Sequence, residues 1–71
     1  MERTPVDSSN LASVGYEAET STLEIEFRKS GIYQYFGVQS SVFEGLMAAG
    51  SKGQYFDQYI KKAGYPFSKV G

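Results

Sequence analysis

Leu23, Ile25 and Phe27 alternate with Glu24, Glu26 and Arg28, and a strand with one dry face and one charged face is the structure that satisfies this period of two. The next residues, Lys29-Ser30-Gly31, read as a three-residue hairpin loop in which Gly31 supplies a positive φ. A second strand, Ile32-Tyr33-Gln34-Tyr35-Phe36, then returns along the first. Loop length sets the register, and a slip of one residue turns every side chain to the other face. The three-residue loop sets Phe27 opposite Tyr33 and Ile25 opposite Tyr35, with both tyrosines on the apolar face; a loop one residue shorter or longer would turn them outward beside Glu26 and Arg28.

The flanking segments are read around this hairpin. Residues 1–10, with Pro5, Asp7, Ser8, Ser9 and Asn10, form an extended lead-in. Leu11 to Glu19 is a strand in which Gly15 marks a bulge or a close backbone approach, and Glu19-Thr20-Ser21 is the turn into the hairpin. After Val38 the period lengthens to that of a helix. Ser41 and Glu44 have capping-box spacing, and Phe43, Leu46, Met47 and Gly50 share a face, which predicts a helix near residues 40–49 ended by Gly50. Ser51 and Gln54 repeat the spacing and open a second helix with a stripe of Phe56, Tyr59, Ile60 and Ala63. Lys61 and Lys62 suit its last turn, and Gly64 and Pro66 stop it. Residues 67–71 are an irregular tail. The expectation is an α+β domain spanning residues 11–66, a small three-stranded antiparallel meander followed by two short helices packed on one face (β-β-β-α-α).

A chain of 71 residues supports one core. With no cysteine and no histidine it has no disulfides, no thiolate or imidazole metal site, and no Cys/His or Ser/His catalytic pair. At this size a core supplies about 3–5 kcal/mol, and the six Tyr and five Phe are its main means. No apolar run approaches the roughly 20 residues of a membrane span, and the N-terminal residues lack a signal-peptide core, so a cytosolic location and no membrane partner are expected. The net charge of −1 hides an asymmetry: residues 1–26 carry −5 and residues 27–71 carry +4.

Four groups of side chains invite a functional reading. Tyr33 and Tyr35 are either core residues with hydroxyls at the rim or a platform on which unpaired bases stack. Ser51, Lys52 and Gly53, followed by Gln54, are either a tight capped corner between helices or an anion site, where free N–H groups and a lysine meet a phosphate. Arg28, Lys29, Lys52, Lys61, Lys62 and Lys69 are either ordinary solubilising surface or, if the hairpin tip and second helix converge, a basic patch. Glu24 and Glu26 share a strand face, but acid–base work needs a cleft that separates their pKa values, which an outer strand face does not supply, and no enzymatic role is expected.

Val6-Asp7-Ser8-Ser9-Asn10-Leu11, Val14-Gly15-Tyr16, Tyr33-Gln34-Tyr35-Phe36 and Ala49-Gly50-Ser51-Lys52-Gly53-Gln54-Tyr55-Phe56 together resemble the KTSC domain over nearly the whole chain. That family is named after the C-terminus of some lysyl-tRNA synthetases and also occurs as short bacterial and phage proteins. Its function is not established, and the synthetase connection suggests RNA. What the resemblance and the charge asymmetry imply is a non-catalytic module without cofactor or metal that binds RNA or another nucleic acid through Tyr33, Tyr35, Arg28, Lys29, Lys52, Lys61 and Lys62. The alternative is a protein-interaction or self-association module, monomeric or weakly dimeric, that uses a strand edge or the aromatics Tyr55, Tyr59 and Tyr65.

Overall fold

The computed structural model describes residues 1–71. Its centre is an antiparallel sheet of five strands in sequential order: β1 (Thr4–Pro5), β2 (Leu11–Glu17), β3 (Thr22–Phe27), β4 (Gly31–Phe36) and β5 (Phe67–Lys69). Helices α1 (Ser40–Ala48) and α2 (Lys52–Phe56) follow β4, and α2 runs directly into a π-helical turn over Asp57–Lys61. None of these helices is long and apolar enough to cross a membrane.

The three-stranded meander is therefore corrected to five strands. β2, β3 and β4 are the expected strands, and the lead-in and the tail each contribute one more, at opposite edges of the sheet. Neither edge strand is long enough to show a period: β1 has two residues and β5 three. Pro5 argues against a central strand but is tolerated at an edge, where no ladder bond is asked of its nitrogen.

The hairpin register also differs. Phe27 lies opposite Gly31, Ile25 opposite Tyr33 and Leu23 opposite Tyr35. The loop is Arg28-Lys29-Ser30, and Gly31, at φ +97°, opens β4 instead of ending the loop. A displacement by an even number of residues preserves the faces, so Tyr33 and Tyr35 stay on the apolar side with new partners.

On β2 the register shifts between Leu11 and Ser13, a bulge at Ala12. The extra residue reverses the alternation at one point, which turns both Leu11 and Val14 into the core while Ser13 faces the other way. The core is Leu11, Val14, Leu23, Ile25, Phe27 and Tyr35 from the sheet, Val38 from the following loop, and Leu46, Phe56 and Ile60 from the helices. Fully burying one such aliphatic side chain contributes about 1.5–3 kcal/mol. The helices seal one face by aromatic contact. Tyr16 stacks on Phe43 at 5.1 Å, and Phe56 meets both Phe27 and Tyr35 edge-on.

The helix boundaries carry two further corrections. α1 is capped by Gln39 without a side-chain bond, and Ser41 lies inside the helix and not at its cap. It ends at Ala49 in extended conformation, before Gly50. Ser51 does cap α2, its Oγ accepting from Gln54 N at 3.4 Å. The π turn then adds a residue to the helical repeat, which buries Ile60 but leaves Tyr59 and Ala63, members of the expected stripe, in solvent.

The sheet's other face is less open than its charges imply. Glu24 is only 6% exposed, because Arg3 crosses from β1 to pair with it while Gln34 Nε2 donates to its second oxygen at 2.8 Å. Arg3 Nε also donates to Ser13 Oγ, whose hydroxyl donates to Glu26, both at 2.9 Å. Gly15 makes room for this: a Cβ there would lie 2.5 Å from the Glu2 carbonyl oxygen and 3.1 Å from Arg3 Cγ. The expected close approach at Gly15 is this crossing.

Candidate binding groove

The two tyrosines of β4 face the helices, and the space left between them is a groove of about 580 Å³. Tyr33, Tyr35 and Phe27 form its sheet side, Phe56, Ile60, Lys61, Gly64 and Tyr65 its helical side, and Phe67 of β5 one wall. Asn10 and Ser30 stand at its ends. The aromatic rings pack against one another: Phe27 meets Tyr33 edge-on at 5.7 Å, and Phe67 lies 5.6 Å from Tyr35 and 6.1 Å from Tyr33.

Sequence offered two readings of the tyrosine pair, and the structure divides them between the two residues. Tyr35 is a core residue, 8% exposed; Tyr33 is half-buried at the groove wall. Burial pushes the Tyr35 phenol above its ordinary value, and neighbouring Tyr33 adds to the shift, so both causes favour the neutral hydroxyl. Of the tyrosine hydroxyls only that of Tyr16 is bonded within the protein, donating to the Val38 carbonyl at 2.5 Å. No side-chain polar atom is both buried and unpartnered, so the Tyr33 and Tyr35 hydroxyls are open to the groove. Phe67 is 62% exposed, an aromatic surface at the groove's mouth.

The basic residues do not all converge. Lys61 lines the groove, and Lys69 lies opposite Tyr33 on β5, on the same sheet face. Lys29 is exposed at the hairpin tip beside Ser30. Arg28 is committed elsewhere, its Nε donating to the Ser8 carbonyl at 2.8 Å. Lys62 and Lys61 both approach Asp57, at 3.6 and 3.9 Å. Lys52 donates to the Ala49 carbonyl at 3.1 Å, satisfying the C-terminus of α1. The acids Glu24 and Glu26 sit on the opposite face of the sheet from the groove, so part of the charge asymmetry along the chain becomes an asymmetry between faces.

Ser51, Lys52 and Gly53 come together in a second hollow of about 260 Å³ that no hydrophobic residue lines. Its other lining residues are Asp7, Ser8, Ser9 and Gly50. The Asp7 carboxylate opposes an anion there, and the Lys52 ammonium is already engaged, so the arrangement fits a capped corner better than a phosphate cradle. Sequence reasoning offers Tyr65 only as a protein-docking aromatic and does not place Phe67 or Phe56 at a binding site. Phe67 falls in the segment that the sequence alone reads as an irregular tail, and the only local signal for it is an aromatic directly after Pro66.

Comparison with known proteins bears on the fold and the family. The KTSC domain family model matches residues 7–65. The chain is 36% identical over 70 residues to an uncharacterized protein of Stutzerimonas stutzeri, covering 99% of both. It is 46% identical over 55 residues to a lysine–tRNA ligase of Nostoc punctiforme, of which it spans only 10%. Among solved structures, the KTSC domain protein YPO2434 from Yersinia pestis superimposes with a TM-score of 0.94 at 43% identity, over 99% of this chain and 97% of that one. The chain belongs to the KTSC domain family.

Proposed function

We propose that this domain is a non-catalytic binding module, acting in the cytosol, whose aromatic groove holds an unpaired base of single-stranded RNA or another nucleic acid. One observation carries the reading: the groove joins a free aromatic surface, Phe67, and half-buried Tyr33 to hydroxyls that have no partner in the protein. A base stacking on such rings contributes about 1–3 kcal/mol and presents edges that phenol hydroxyls can read. Lys61 and Lys69 flank the rings at positions suited to the adjoining phosphates. The match to part of a lysine–tRNA ligase supports the same direction. Arg28 and Lys52 have other work in the fold and Lys62 does not line the groove, so these three drop to a secondary role.

Titration of the isotope-labelled protein with short single-stranded RNA at low salt tests this. Saturable amide shifts centred on Tyr33, Tyr35 and Phe67 are expected. With two phosphate contacts the logarithm of affinity falls with the logarithm of salt at a slope of about −1.4. Unmoved signals at these three residues would overturn the reading, and shifts confined to Ser51–Gly53 would move the site to the polar hollow.

A further inference from the structure

The two edges of the sheet are built differently. β1 ends the sheet with two residues, one of them proline, flanked by Glu2 and Arg3, which is how natural sheets discourage further pairing. β5 is also short, three residues with Lys69 among them, but it has no proline within it. Of the large hydrophobic residues left exposed, Phe67 and Val70 belong to β5 or its end, and Phe36 ends the neighbouring strand.

The backbone of β5 shows what its open side offers. The nitrogen of Val70 donates to the Ile32 carbonyl at 2.8 Å and that of Phe36 to the Pro66 carbonyl at 2.9 Å. The peptide groups of residues 66, 68 and 70 are thus turned toward β4, and those of Phe67 and Lys69 point away from the sheet.

From this we infer that β5 is a self-pairing edge, and that a second copy of this chain docks there antiparallel, β5 against β5, across a two-fold axis at Ser68. In that register Phe67 of one copy faces Lys69 of the other. The outward N–H and C=O of Phe67 exchange bonds with those of Lys69 in the partner copy, and symmetry repeats the exchange, so each outward peptide group of both residues is satisfied. Side chains match as well. The ammonium of each Lys69 meets the partner's exposed Phe67 ring, a favourable cation–aromatic pair, and the lysines avoid one another. Small Ser68 sits on the axis. Both grooves then lie on one face of a continuous sheet. The inference rests on the sheet edge and shares Phe67 and Lys69 with the proposed groove, so it is tested in the absence of nucleic acid.

Sedimentation of the purified full chain without nucleic acid, from micromolar to millimolar, tests it together with two charge variants at one exposed position. The native chain is expected to pass from monomer to dimer, with the amides of Phe67 and Lys69 gaining exchange protection as it does. F67K puts lysine opposite lysine twice and should hold the protein monomeric; F67E puts glutamate opposite lysine twice and should retain the dimer, with roughly tenfold or greater separation of the two dissociation constants. Both remove the same ring, so a difference between them reads the register and not hydrophobicity. A native chain monomeric at millimolar concentration, or equal weakening by F67K and F67E, overturns the proposal.

Discussion

Replacing Arg3 by methionine keeps the aliphatic stem on the sheet and removes the guanidinium from Glu24. The structure sets the cost. The Glu24 side chain is 8% exposed and that of Arg3 26%, and after the change Gln34 is the only side chain still bonded to the carboxylate. Removing one partner of a deeply buried pair costs about 3–5 kcal/mol, and a hydrogen bond to a charged group contributes about 1.5–3 kcal/mol. Because Arg3 is itself 26% exposed on this face, the lower range applies, and R3M should lose about 1.5–3 kcal/mol, about a third or more of what a core this size supplies. The loss depends on pH. Burial raises the Glu24 pKa, but the hydrogen bonds from Gln34 and Arg3 and the Arg3 charge outweigh it and hold the carboxyl below its ordinary value. A folded-state pKa depressed in this way gives stability that is fully present above the unfolded value of about 4.3 and is lost as pH falls through the folded value. Without Arg3 the lowering causes shrink while burial stays, so the acid loss should shrink too. Urea unfolding followed by circular dichroism should show a wide gap between the native chain and R3M near pH 7 that narrows near pH 3. A gap under about 0.5 kcal/mol at neutral pH, or one that is unchanged in acid, would refute the reasoning.

Other changes probe neighbouring links. G15A forces a methyl toward the Glu2 carbonyl and displaces β1, which should cost about 1–3 kcal/mol, and its effect should be much less than additive with R3M in a double-mutant cycle by urea unfolding. Y16F removes the bond to the Val38 carbonyl and should cost about 0.5–1.5 kcal/mol, with the loop signal of Val38 shifted in the amide spectrum. I60A empties a fully buried site beneath the groove and should cost about 2–5 kcal/mol, enough to populate the unfolded state at room temperature as seen by calorimetry.

The hairpin was legible because Leu23, Ile25 and Phe27 repeat a period that owes nothing to distant residues, and its faces survived a register error because the error was an even number of residues. The α2 cap was legible for the same reason: Ser51 and Gln54 are three residues apart and bond locally. Ser41 had equally good spacing and failed, because the helix already starts at Ser40 behind Gln39, directly after buried Val38, which leaves Ser41 inside it. The candidate site was half legible. Tyr33, Tyr35 and Lys61 were named from sequence and do line the groove, whereas Lys52 and Arg28 were bonded to backbone carbonyls that no spacing rule reveals.

By itself, then, the sequence determined what nearest neighbours decide: alternation, the place of the hairpin turn to within a residue, one cap, and a chemistry without thiols or imidazoles. Tertiary structure alone decided the rest. β1 and β5 exist because a sheet edge far away in the chain satisfies their peptide groups, and Glu24 is buried because Arg3 reaches it across a glycine. Short strands and buried ion pairs draw their stability from long-range partners, so no local window of residues carries their signature.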